Sequence, residues 1–433
     1  MHPYQLNIIC VLYIFGANPV MSASLPYQAP DKHLGVASCA SSVCHGSVQA
    51  NEHYDVPLNE YVTWSHQDAH AKTYEVLFSE ESSKIAAKLG LENAHTAKIC
   101  LDCHADNVPE EQRGTEFQIT DGVGCEACHG GAEKWIKTHT AKDTKYADHI
   151  DAGMYPTADL AARAKLCLSC HYGNADKFTS HRIMGAGHPR LSFELDTFLA
   201  LQPPHIQIDE DYRKRKPTAS RAKTWALGQI IASKSQLDLL QGPLISQAGL
   251  FPELALFDCH ACHNNSMHRL DWRRRTNTAH TEPGTVPVAD GHLRMALVVA
   301  RQIDTQAANR LIALSQSLQK ASGEGRQRMV AVSRQMQDII NKLVQELAGR
   351  EISESSKKKM LDDLLKMGIT GEYRDYIGAE QAVMAIELIM IDIGKRDQFQ
   401  SYLDKLYDLV ENDESYRPAS FASVLRDLKG ALH

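Results

Sequence analysis

Cys100-Leu-Asp-Cys103-His104 is the stretch on which the reading of this chain turns, because its pattern returns along the sequence. It recurs as Cys125-Glu-Ala-Cys128-His129, Cys167-Leu-Ser-Cys170-His171 and Cys259-His-Ala-Cys262-His263. Cys39-Ala-Ser-Ser-Val-Cys44-His45 is a variant with a longer gap between its cysteines. Ten of the 11 cysteines therefore fall into five pairs, each followed at once by a histidine. C-x-x-C-H is the attachment pattern of a c-type haem. Two thiols bond the two vinyl groups on one edge of a porphyrin, and the next histidine turns beneath the ring to reach the iron. The longer gap of the first motif can loop out and still present both sulfurs. Paired cysteines also serve zinc or disulfides, but neither needs a histidine after every second cysteine.

The rest of the composition is ordinary. The chain has 433 residues, 43% hydrophobic and 23% charged, enough for one large domain or two smaller ones. A net charge of -7 without a basic block argues against nucleic acid as a partner. The longest apolar run outside the N-terminus, Ala382 to Ile393, is too short to span a bilayer and contains Glu387 and Asp392. Residues 1–23 read as an export signal, with an apolar stretch from Ile8 to Phe15 and small residues at Ser22-Ala23. That reading places the mature protein in the periplasm or otherwise outside the cytoplasm. Aromatic content is only 7%, and covalent haems would supply the missing large apolar surfaces.

Residues 24–290 carry every motif and read as a haem-binding domain with short helices. The clearest are Ser82 to Leu91, Ala158 to Cys170, and a longer one over Ala219 to Leu240. No convincing strand pattern is present, and 276–291 reads as a polar linker. From about 292 apolar residues recur every three or four positions, as at Leu293, Ala296, Val299, Ile303, Ala307, Leu311 and Leu314. Further helices are expected at Arg326 to Leu347, 355–367, 372–393 and 396–411. Residues 291–433 contain no cysteine, so they form a haem-free helical domain, either a cap on the haem domain or a docking or dimerisation surface. The fold class is mainly α with much irregular structure: a wrap around stacked haems, then a C-terminal helical bundle.

Beyond the motifs, several stretches resemble the cytochrome c-554 type of multihaem cytochrome (the cytochrome c-552/4 domain). They are Gly35 to Gly46, Tyr61 to Trp64 leading to Asp68-Ala-His70-Ala71, Asp121 to Gly131, and His181 to Glu194. The resemblance implies haems stacked in close pairs, with second axial ligands drawn from distant parts of the chain. His139 matches the family histidine that reaches back to the first haem, and His70 the one that serves a later haem. His188, in the glycine-rich turn at Gly185-Ala-Gly187, and His181 are further candidates, with His149, His53 and His66 behind them. By order, His104 matches the haem that can stay five-coordinate in this family. Arg190 is placed to meet a propionate or to form an ordinary ion pair, and Arg273-Arg274-Arg275 reads as a solvated cluster. His260, inside the fifth motif, reads as filler.

The expected function is electron transfer between redox partner proteins, a membrane oxidoreductase among the possible ones, through five c-type haems. The alternative is a haem enzyme acting on hydroxylamine or a small nitrogen or sulfur oxyanion at one open iron. No C-x-x-C-K variant appears to mark such a site.

Overall fold

The structure is a computed structural model that describes residues 23–49, 56–204, 206, 208–245, 252–263, 285–413 and 415–432. The export-signal residues before 23, His53 and the arginine run at 273–275 lie outside the described residues. The protein is mainly α-helical. Among the described residues extended pairing is limited to two isolated bridges, His33 with Arg113 and Phe257 with Val288.

The first part of the chain is a loose wrap of short helices and 3-10 turns. Glu60–Gln67, Glu80–Leu89, Lys98–His104, Cys125–His129 and His181–Ala186 are its main helices. They share only small apolar clusters, such as Leu77, Ala86, Ala94, Leu101 and Ala105. Apolar side chains near the motifs, including Val43, Val76, Phe78 and Ile99, are exposed. Such a segment cannot bury enough apolar surface by itself to offset chain entropy.

The rest is built around one helix, Arg221–Gln241. Ser220 caps its start by accepting from Lys223 N at 3.3 Å, and it ends at Gly242. Trp225, Ala226, Leu227, Ile230, Leu237, Leu239 and Leu240 bury all its sides, the pattern of a helix surrounded by others. It packs against Leu160–His171, Leu195–Leu201, Gly291–Ile303 and Arg326–Ala348. A Cβ at Gly228 would lie 2.7 Å from Leu195 Cβ, so glycine permits the close approach of Leu195–Leu201. The apolar core runs from Ala164 and Leu168, on the helix of the fourth motif, to Leu428 near the C-terminus. The change of sequence texture near 292 is thus not the edge of the core.

Several helix limits differ from the periodicity. The amphipathic run over 292–314 is two helices, Gly291–Ile303 and Thr305–Glu324. Asp304 divides them, because its carboxylate accepts from Gln306 N and Ala307 N and starts the second helix. The helix expected from 372 begins at Tyr376, where the Asp375 side chain accepts from Gly378 N at 2.6 Å. The segment from 396 is a 3-10 turn followed by Gln400–Asp408, and a last helix, Pro418–Leu432, was not signalled by the sequence.

Candidate haem sites

Three motifs lie on helices: Lys98–His104, Cys125–His129 and the end of Leu160–His171. Positions i, i+3 and i+4 share one helix face, so both thiols and the imidazole emerge together. The fifth motif makes an equivalent turn. Asp258 caps it by accepting from His260 N at 2.9 Å, and His263 N donates to Cys259 O at 2.7 Å. In the first motif the longer gap loops out: Cys44 N bonds Ser41 O at 2.9 Å, yet His45 N still returns to Cys39 O at 3.1 Å. None of the ten motif cysteines is in a disulfide.

Four motif histidines face a second histidine. The ring centroids of His45 and His139 are 6.3 Å apart with planes at 13°. His104 and His188 are 6.3 Å apart at 85°. His70 and His171 are 6.0 Å apart at 87°, and His181 and His263 6.1 Å apart at 39°. One metal ion bonded to two imidazoles at about 2.0 Å each, with about 1.2 Å from each nitrogen to its ring centre, needs centroids roughly 6.3 Å apart. The residues present therefore fit an iron between each pair. His70, His139, His188 and His181 are the histidines so placed, each on a part of the chain distant from the motif it faces.

The outer nitrogens are held as ligand histidines usually are. His45 Nδ1 lies 2.9 Å from Glu60 Oε2, and His70 Nδ1 2.8 Å from Asp68 Oδ1. His104, His139 and His188 use backbone carbonyls instead: Thr73 at 3.0 Å, Ile136 at 2.7 Å and Pro189 at 2.7 Å. Burial opposes ionisation of Asp68, but hydrogen bonds from His70 and Gln202 outweigh it and hold the carboxyl well below the usual carboxylate range.

The motifs contact one another in pairs. Cys39 lies against Cys125, and Cys103 against Cys170. Glu126, inside the third motif, is buried and accepts from Leu34 N, Gly35 N and Ala132 N, each at 2.7 Å, which ties the strand of chain entering the first motif to the third. Gly35 has a φ of 99°, and a Cβ there would strike the Glu116 carbonyl. Burial pushes the Cys167 thiol up to about 11 and the Cys128 thiol higher still. A cleft of about 90 Å³ lies between the fourth and fifth motifs, lined by His171, Tyr172, Met184, Arg190, Cys259 and His292.

The remaining sequence candidates stand apart from these pairs. His66 is exposed. His149 lies 6.5 Å from His139 with its ring at 86° and has a buried Nδ1 without a hydrogen-bond partner. Arg190 pairs with Glu380 at 3.2 Å and lies over the Tyr376 ring. His260 is not filler: its Nε2 bonds Asp413 O at 3.0 Å and joins the fifth motif to the bundle. His33 was not visible in the sequence, since it precedes every motif and belongs to no pattern. It is fully buried, and its Nδ1 is 2.7 Å from Asp106.

Among the described residues, no three histidine, cysteine or acidic side chains converge as the ligands of a bare metal ion would. No described helix is long and apolar enough to cross a membrane. Neither a curated protein nor a solved structure matches the chain. Residues 38–130, which hold the first three motifs, match the family model described as cytochrome c554 and c-prime. With the paired histidines and helical motif turns on the page, that match over part of the chain supports a c-type cytochrome of this type, a haem c protein that transfers electrons.

Proposed function

We propose that this chain is an exported pentahaem cytochrome that passes electrons between redox partner proteins. Each bound haem would supply one-electron transfer at its iron. The ten motif cysteines hold the porphyrin edges, and His45, His104, His129, His171 and His263 bind the irons from one side. His139, His188, His70 and His181 bind the first, second, fourth and fifth from the other. The observation that carries the reading is the 6.3 Å separation of His188 from His104. It closes the second site, the one that family order marks as able to stay open. An enzyme acting on hydroxylamine or an oxyanion needs a vacant iron face, and at these four sites the facing histidine takes that position. The haem-free helices are a rigid support for the fourth and fifth sites, because Leu168 and Leu256 sit in the bundle core.

The test is a pyridine-haemochrome count with low-temperature EPR of the ferric protein secreted by the cell. Five haems on a chain beginning near Ala23, with low-spin signals from the four sites whose motif histidine faces a second histidine, is the expected result. A stoichiometric high-spin signal that shifts with nitrite, hydroxylamine or sulfite would replace this reading with the enzyme one.

A further inference from the structure

Resting on the electron-carrier reading, we infer that Glu60 and Asp68 hold the irons of the first and fourth sites at lower potentials than the iron of the second. The two carboxylates belong to one short helix, Glu60–Gln67: Glu60 is its first residue and Asp68 follows its last. They serve different sites. Glu60 Oε2 takes the Nδ1 proton of His45 at 2.9 Å, and Asp68 Oδ1 that of His70 at 2.8 Å. Both are sheltered from solvent, with side-chain exposures of 16% and 5%. Asp68 is fixed further by His70 N at 3.0 Å and Gln202 Nε2 at 2.9 Å. The helix itself is anchored by Tyr61 N to His45 O at 2.9 Å and Trp64 Nε1 to Val123 O at 3.2 Å.

The second site lacks this arrangement. Both its histidines donate to neutral carbonyls, His104 to Thr73 and His188 to Pro189. A carboxylate draws the ring proton toward itself and leaves more electron density on the nitrogen that binds iron. Greater density favours ferric over ferrous iron and lowers the potential. Cys103 and Cys170 lie against each other, so the second and fourth sites are neighbours. One electron then moves favourably from the fourth site to the second: one ferrous iron is oxidised, one ferric iron is reduced, and each Nδ1 proton stays in its hydrogen bond. His181–Ala186 carries His181 at its start and is followed by His188, so the same short helix joins the second site to the fifth.

The experiment is potentiometry of the holoprotein, reduced with dithionite and reoxidised with ferricyanide, followed by EPR. The signals are separable by ring orientation. The near-parallel rings of His45 and His139 give a rhombic low-spin spectrum, whereas the near-perpendicular pairs at the second and fourth sites each give a single large g value. Glu60→Gln should raise the midpoint of the rhombic signal alone, and Asp68→Asn that of one large-g signal alone. The expected size is about tenfold in the reduction equilibrium, or about 59 mV for one electron. Glu60→Asp should restore most of the difference, which a merely structural role would not require. The ranking in the wild-type protein tests the inference without any substitution. Full haem content with unmoved midpoints, or a second site below the first and fourth, overturns it and leaves the electron carrier intact. A wild-type protein without c-type haem overturns both.

Discussion

The imidazole of His188 stands opposite that of His104, 6.3 Å away and turned through 85°. His188 follows the helix His181–Ala186, whose Ile183 and Ala186 pack with Leu89 of the helix Glu80–Leu89. Where His188 stands is therefore set by packing between two helices that lie outside the second motif.

Removing that ring should open one iron. His188→Ala is expected to produce one high-spin ferric haem per chain and to bind one equivalent of cyanide or carbon monoxide, while the wild type binds none at this site. Ligand titration followed by visible spectroscopy checks it. Equal binding by the two proteins would mean that His188 is not an iron ligand.

The fifth site is separable from the others. Cys259 and Cys262 lie outside the bundle core, although Leu256 and Phe257 before them belong to it. Replacing both cysteines with alanine should lower the haemochrome value by one haem and leave the near-parallel EPR signal of the first site in place. Loss of all haem on this change would contradict independent attachment.

Trp225 is wholly buried at the centre of the bundle, on a helix that packs against Leu160–His171. Trp225→Ala leaves a cavity and should cost about 3–5 kcal/mol in stability. Because the packed helix ends in the fourth motif, the variant should also lose order at that site. Chemical denaturation together with the His70–His171 EPR signal measures both effects.

Glu194 gives the fold a pH dependence. Burial dominates and raises its carboxyl from 4.5 to about 7, against hydrogen bonds from Thr197 N and Asp196 N. The folded chain therefore binds this proton more tightly than the unfolded chain. Its contribution to stability is complete below about pH 4.5 and is lost as the pH rises through about 7. Linkage bounds the loss at about 3 kcal/mol. Glu194→Gln should flatten the stability profile between those limits, as read by urea unfolding at a series of pH values.

The cysteine–cysteine–histidine turns were legible in the sequence because they are a local property. Two thiols and an imidazole at i, i+3 and i+4 share a face on one helical turn, whatever the rest of the chain does. The long apolar periodicities were legible for the same reason, and Arg326–Ala348 follows its pattern closely. Their limits were less so, since Asp304 and Asp375 end or begin helices through side-chain hydrogen bonds that periodicity does not register.

Facing histidines are a different kind of property. His45 meets His139 and His171 meets His70 only after distant segments pack, and no spacing in the sequence encodes those partners. Family resemblance pointed to His70 and His139, whereas His33 lay outside any pattern and became visible only through its burial. The extent of the core was equally a tertiary matter. Arg221–Gln241 comes before the sequence turns haem-free, yet it is buried on all sides and packs against helices on both sides of residue 291. The sequence alone determined the five Cys-Cys-His turns and most of the long helices, because both depend on neighbours along the chain. Which histidines face one another, which carboxylates touch them and where the core ends were decided by tertiary structure, because each depends on groups far apart in sequence.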